Sequence, residues 1–235
     1  MPDRAAIYRE QPELYDKLIS CEDYENNLIP ALQSICRLEG AHVIEFGAGT
    51  GKCTAKLLPY VQSIIATEIQ PAMAEVARRK LELLPQRNWQ MMVADMRNVS
   101  LADSSADIAL AGWCICFIAT HEEDWKAALQ QALTEMERVI RPGGFIMILE
   151  TMGTGQTEPN PPTQRFAEYF EYLKEQGFQS KNIRTDYKFE SEEEMHRLLK
   201  FFFDQNMLDS GNQLSPTVYP ECTAMFWKQR EKCPD

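Results

Sequence analysis

Hydrophobic and polar positions along the chain alternate between two periods. Short apolar runs of the strand type, AHVIEFG (41–47), QSIIATEI (62–69), NWQMMVAD (88–95), DIALAGW (107–113) and FIMILET (145–151), are separated by segments whose apolar residues recur at helical spacing. The helical segments are TGKCTAKLLPYV (50–61), QPAMAEVARRKLELLP (70–85), opened by Pro71, and EEDWKAALQQALTEMERVI (122–140). Such alternation predicts a mostly parallel sheet with helices on both faces. Upstream, Leu14, Leu18, Leu28, Leu32 and Ile35 predict two short helices, the second begun at Pro30. RPGG (141–144) reads as a turn, and MGTGQTEPNPP (152–162) as a break too rich in turn formers for strand or helix. Beyond it, TQRFAEYFEYLKEQGF (163–178) predicts a helix with an aromatic stripe of Phe166, Tyr169 and Phe170 ending at Leu173. A strand over NIRTDYKF (182–189) follows, then a helix over SEEEMHRLLKFFFDQNML (191–208) with Ser191 and Glu194 as capping pair. TVYPECTAMFW (217–227) reads as a closing strand interrupted by Pro220. The expected organisation is a helical cap over 1–40, a ligand-binding core over 41–151, and a pocket helix with closing strands over 152–235 in the same domain.

Composition narrows the function. The 235 residues are 44% hydrophobic and 25% charged, which suits one α/β domain with a sizeable core. A net charge of -11 argues against nucleic acid, because phosphate binding rests on Lys and Arg displacing counterions. The densest basic patch, ARRK (77–80), reads as an exposed helix face. No signal peptide or membrane-length apolar run is visible, so a cytoplasmic protein without a membrane partner, monomeric or homodimeric, is expected. The seven cysteines include no CxxC pair, so neither a disulfide framework nor a metal site is expected. Cys114 and Cys116, taken as sharing one face of an extended segment, read as buried thiols.

The stretch VIEFGAGTGKCT (43–54) invites three phosphate- or nucleoside-binding readings. A Walker A loop would need glycine at Phe46 and a hydroxyl at Cys53. A dinucleotide loop would need a third glycine where Lys52 stands. The pattern GxGxG is satisfied by Gly47, Gly49 and Gly51, preceded by the acidic Glu45. Glu68 ends the next strand run and Asp95 the third. DIALAGWCICFI (107–118) and LTEMERVIRPGGFIMILE (133–150) follow in order. On these residues the chain resembles the class I S-adenosylmethionine-dependent methyltransferases of the small-molecule, methyltransferase type 11-like kind, over residues 41–151.

The resemblance implies a Rossmann-like seven-stranded mixed sheet, order 3-2-1-4-5-7-6 with the last strand antiparallel, and S-adenosyl-L-methionine as cofactor. It implies cofactor contacts from Glu45, Gly47, Ala48, Gly49, Gly51, Glu68, Ile69, Asp95, Met96, Gly112 and Trp113. Physical chemistry agrees: glycines let backbone pass close beneath a ligand, helix-start amides suit a carboxylate, and Glu68 suits ribose hydroxyls while repelling the phosphate of NADP. Tyr15, Trp113, Phe166, Tyr169 and Phe170 are candidate lid or substrate residues around a compact, partly apolar acceptor. Of three histidines, His121 is the candidate base or substrate contact, against the plainer reading that it starts a helix capped by Thr120. AGWC (111–114) stands where amino-methylating nucleic-acid and protein enzymes of this superfamily often carry [DNS]PP[YFW]. The expected reaction is in-line methyl transfer to a small molecule; the alternatives are RNA or protein methylation, a noncatalytic adenosylmethionine-binding protein of the same fold, and, more distantly, a nucleotide-dependent oxidoreductase.

Overall fold

The computed structural model describes residues 3–203, 205 and 211–232. Cys233 and the tail of the helix expected to reach 208 (residues 204 and 206–208) lie outside the described residues.

Five parallel strands form the sheet's first part: β1 (His42–Phe46), β2 (Ser63–Glu68), β3 (Trp89–Val93), β4 (Ala106–Gly112) and β5 (Ile140–Thr154). Their crossovers are α4 (Lys52–Leu57), α5 (Pro71–Glu82), and α6 (Cys116–His121) with α7 (Trp125–Val139). After β5 come α8 (Gln164–Glu175), β6 (Gln179–Arg184), β7 (Tyr187–Lys188), α9 (Glu192–Phe202), β8 (Val218–Tyr219) and β9 (Glu221–Gln229). The order is β3-β2-β1-β4-β5-β9-β6, with β9 antiparallel to both neighbours. Counting only the main sheet, this is the expected 3-2-1-4-5-7-6. The short β7 and β8 pair separately.

Period-two alternation sorts the strands' side chains into two cores. Ile44, Phe46, Ala109, Ile146, Ile148 and Phe226 pack with α6, α7 and α8 on one face. Val43, Ile108, Leu110, Met147, Leu149 and Met225 pack with α4 and α5 on the other. Leu110 is 1% exposed, and burial of this kind contributes about 1.5–3 kcal/mol per large aliphatic side chain. A third cluster joins the N-terminal helices to α9 through Leu18, Tyr187, Met195, Leu199 and Phe202.

The N-terminal segment forms three helices, α1 (Arg4–Glu10), α2 (Pro12–Ile19) and α3 (Leu28–Gln33), where two were expected. The extra one, α1, buries only Ile7, so it leaves no periodic apolar signal. Ion pairs fasten this acidic segment to basic residues of α4 and α5: Asp16 to Lys80 (2.5 Å), Glu22 to Lys52 (2.6 Å) and Asp23 to Lys56 (2.8 Å).

Several boundaries differ from the sequence reading. RPGG lies inside β5, because pairing with β4 survives a register shift between Ala106 and Ile108. Gly144 is required there: a Cβ would stand 2.6 Å from the carbonyl oxygen of Asp107. Likewise β5 runs on to Thr154, three residues into the expected break, because a second shift lets Thr154 pair with Glu221. The segment 182–189 is two strands, β6 and β7, and the closing strand is split into β8 and β9 at Pro220. Cys114 and Cys116 are not in one extended segment: Trp113 takes a left-handed φ of 53°, turning the chain so that Cys116 opens α6. His121 ends α6 rather than starting a helix, and Asp124 caps α7 by accepting from the Ala127 amide (3.3 Å).

Candidate cofactor and acceptor site

The loop after β1 is built by its glycines. Gly47, Gly49 and Gly51 have φ of 65°, 58° and 79°, a region costly for side-chain-bearing residues. At Gly47 space is also lacking, since a Cβ would lie 2.7 Å from both Cβ and Sγ of Cys114. Two bonds tie the loop to β2: the Ala48 amide donates to the Thr67 carbonyl (2.8 Å), and the Gly49 amide donates to Glu68 Oε2 (2.8 Å). Glu68 Oε1 accepts from the Gln70 amide (2.8 Å), and burial pushes its carboxyl above the usual range. Each oxygen retains a lone pair for a hydroxyl donor. Beside it Ile69 is 54% exposed, an apolar surface at a strand end with no core role.

The other expected cofactor residues occupy distinct settings. Glu45 is buried beneath α4, where Oε2 accepts from the Thr54 hydroxyl (2.5 Å) and burial raises its carboxyl to about 7. Asp95 is gripped by Arg97 at 2.7 Å, which holds it below the ordinary carboxylate range. The Met96 methyl lies against Gly47. Gly112 faces Cys53, and the Trp113 amide donates to the Leu149 carbonyl (2.7 Å). These groups lie at or just beyond the C-terminal ends of β1, β3 and β4, where open α/β sheets bind ligands.

Above these strand ends lies an aromatic cap. The rings of Tyr8 and Tyr15 meet edge-on at 5.0 Å, Tyr15 packs on Phe202 at 5.1 Å, and Tyr8 meets Phe117 at 5.8 Å. His121 stacks on the outer side of Phe117 (5.7 Å) and is exposed. Phe166, Tyr169 and Phe170 are buried in the core, Phe170 against Phe226 at 5.1 Å, and the Tyr169 hydroxyl donates to Glu150 (3.3 Å).

A group that the sequence reading missed lies beside the loop. Lys52 Nζ sits 3.4 Å over the Trp113 ring and bonds Glu22 Oε2 at 2.6 Å, an atom that also accepts from the Tyr187 hydroxyl (3.3 Å). Glu221, its Oε1 accepting from Thr151 (2.6 Å), lies close enough to feel the charges of Glu22 and Lys52. No local spacing could reveal it, because the members come from segments far apart in the chain. The surface recesses lined by Lys126, Gln164 and Glu168, and by Arg97, Gln130 and Thr134, belong to the outer faces of α7 and α8.

Three buried acids set a pH response. Burial raises Glu45 and Glu150 to about 7 and Glu221 to about 8. An unfolded glutamate titrates near about 4.3, so between there and the raised values the folded chain holds more protons than the unfolded one. Stability therefore falls as pH rises through this window. Acids held low by arginine or lysine partners, such as Asp95 and Glu135, act in the opposite sense, but only as pH drops below the unfolded value. Thermal melts should show Tm declining from about pH 5 to about pH 8, less steeply in Glu150→Gln; a Tm that climbs across this range would contradict the assignment.

Fold and site together define a Rossmann-like ligand-binding domain whose acidic β2 end is joined to a glycine loop. The residues fit adenosylmethionine: a side-chain-free loop, a carboxylate with lone pairs for ribose hydroxyls, and an exposed Ile69 for an apolar ring. The family model described as Methyltransferase domain matches residues 44–148. The O-methyltransferase cnsE of Penicillium expansum is 30% identical over 135 residues, 57% of this chain and 46% of that protein. The ubiquinone/menaquinone biosynthesis C-methyltransferase UbiE of Coxiella burnetii is 33% identical over 122 residues, 49% of this chain and 45% of that one. The match thus spans about half the length of these relatives. Phosphoethanolamine N-methyltransferase 2 of Haemonchus contortus, solved with S-adenosyl-L-methionine, shares the fold with a TM-score of 0.59 at 15% identity, over 99% of this chain and 60% of that one. Residues 44–148 are thus similar to methyltransferase domains, and the chain shares its fold with an S-adenosylmethionine-binding methyltransferase.

Proposed function

We propose that this protein transfers a methyl group from S-adenosylmethionine to a small-molecule acceptor. The observation that carries the reading is the bond from the Gly49 amide to Glu68, which unites the glycine loop and the acid suited to ribose. When bound, the cofactor supplies a methyl activated by a positive sulfur. The protein's own contribution is alignment and exclusion of water, and alignment alone can supply on the order of 7–11 kcal/mol. In this reading Gly47, Ala48, Gly49 and Gly51 cradle the methionine part, Glu68 and Ile69 hold ribose and ring, and Asp95, Met96, Gly112 and Trp113 border the remainder. Glu45 acts through Thr54, from beneath α4.

Tyr15 and Trp113 bound the acceptor side, under the segment 1–40. Their apolar surfaces, the net charge of -11 and small-molecule enzymes among the relatives support a small acceptor over RNA or protein. What supports His121 as an acceptor-side group is its stacking on Phe117, whose ring meets Tyr8. Phe166, Tyr169 and Phe170 stay in the core, Phe170 against Phe226, and do not face the acceptor in this reading. Among the described residues no helix is long and apolar enough to cross a membrane.

The test is turnover. Incubation with labelled adenosylmethionine and a metabolite fraction should yield adenosylhomocysteine and a labelled small product. Transfer of label only to RNA or protein, or cofactor binding with no transfer to any fraction, would overturn the small-molecule reading and favour the noncatalytic one in the second case.

A further inference from the structure

Two buried carboxylates flank the loop, and neither is fully satisfied. Glu22 is 4% exposed and Glu221 is 1% exposed, yet Glu22 Oε1 and Glu221 Oε2 have no hydrogen-bond partner among the described residues. A buried acceptor left unmade costs on the order of 1–3 kcal/mol, more when charged. The pair is assembled deliberately by the fold. Glu22, from the loop after α2, is fixed by a backbone bridge to Tyr187 of β7. Glu221, at the start of β9, donates its amide to Asp186 Oδ1 (2.8 Å), itself paired with Arg184 (2.6 Å). Lys52 shows that this place accepts a cation: its ammonium rests 3.4 Å over the Trp113 ring while bonding Glu22. Trp113 presents that ring from a left-handed backbone, φ 53°, which a tryptophan adopts only when its surroundings enforce it.

Resting on the methyltransferase reading, we infer that Glu22 and Glu221, with the Trp113 ring, form a subsite for an ammonium group of a bound small molecule. An ammonium carries three donors and no acceptor, the complement of Glu22 and of Glu221 once that carboxyl has given up its proton. The surrounding chemistry favours it over a hydroxyl or an anion. Burial, and then the like charge of Glu22, push Glu221 up to about 8, so at neutral pH it carries a proton. The charges facing it are Glu22 from the cap, Lys52 from α4, and the Asp186 and Arg184 pair beside β9. Arrival of an ammonium would turn Glu221 into a carboxylate, the proton leaving to solvent. The subsite then keeps the same net charge before and after binding. Two molecules could bring the group, an amine acceptor or the cofactor through its methionine end.

Calorimetry on the full chain separates them with matched probes. Phenethylamine and 2-phenylethanol differ by the ammonium against a hydroxyl on the acceptor side; adenosylhomocysteine and methylthioadenosine differ by the amino-acid end of the homocysteine chain, its ammonium and carboxylate included. The expected result for an amine acceptor is that phenethylamine binds at least about tenfold tighter than 2-phenylethanol, with a proton release seen as different heats in phosphate and Tris buffers. Glu221→Gln, which keeps the Thr151 bond, should abolish both the preference and the proton release; Glu22→Gln should do the same should Glu221→Gln fail to fold. If the cofactor brings the group, Glu221→Gln instead weakens adenosylhomocysteine about tenfold and spares methylthioadenosine. Ratios within both pairs that are unaltered by the substitution would overturn the proposal. Failure of the methyltransferase reading itself shows separately, as binding of neither adenosyl probe by the unaltered protein.

Discussion

Replacing Glu68 by alanine should weaken adenosylmethionine binding by about 10- to 100-fold, since a hydrogen bond to a charged group contributes about 1.5–3 kcal/mol and 1.4 kcal/mol is a factor of ten. The carboxylate is nearly buried at the end of β2, and its two oxygens accept from Gly49 and Gln70. Its removal acts twice. In the proposed reading it takes away the acceptor for ribose hydroxyls, and it releases the amide that fixes the second glycine of the loop. Glu68→Gln keeps one carbonyl acceptor and should fall between the two. Titration calorimetry on the three proteins checks the order, and a Glu68→Ala protein that binds with unchanged affinity would contradict the role.

Gly47→Ala should be the most destabilising small substitution in the loop. A left-handed backbone costs a non-glycine residue roughly 1–2 kcal/mol, and overpacking typically adds about 1–3 kcal/mol. At Gly47 both apply, because φ is 65° and the new methyl would overlap Cys114. A combined loss of about 2–5 kcal/mol lowers Tm by roughly 4–20 °C in a chain of this size. Gly40→Ala is the internal control: φ is 79°, but a Cβ there meets nothing within 4 Å, so only the backbone cost applies. Adding Cys114→Gly to Gly47→Ala removes the overlapping atoms and should restore the packing part. Equal losses for Gly47→Ala and Gly40→Ala would mean that Cys114 moves aside freely.

Why some of this was legible in sequence and some was not follows from the range of the forces involved. The parallel strands announce themselves because burial on both faces demands continuous apolar runs, as in IIA at 64–66 and IALA at 108–111. The loop is legible because left-handed backbone restricts three consecutive alternate positions to glycine. Glu68 is legible because its place is a strand end. By contrast, α6 hides inside WCICFIAT, where the chain turns through the left-handed backbone of Trp113 rather than at the glycine before it. The aromatic stripe at Phe166 and Phe170 has the same periodicity whether it lines a pocket or packs on Phe226, and only the packing partner decides. Lys52 illustrates the limit most clearly. In sequence it is the residue that spoils a dinucleotide loop; in the fold it joins Glu22, Trp113 and the glycine loop across elements far apart in the chain.

The most direct test is calorimetric titration of the unaltered protein with S-adenosylmethionine and S-adenosylhomocysteine, accompanied by melting curves with each ligand and with NAD. One-site binding of both adenosyl ligands below about millimolar concentration is expected, with a Tm that rises with their concentration as mass action requires and stays fixed with NAD. Absence of heat and of any Tm shift at about millimolar adenosyl ligand, or a shift produced by NAD alone, would contradict the account.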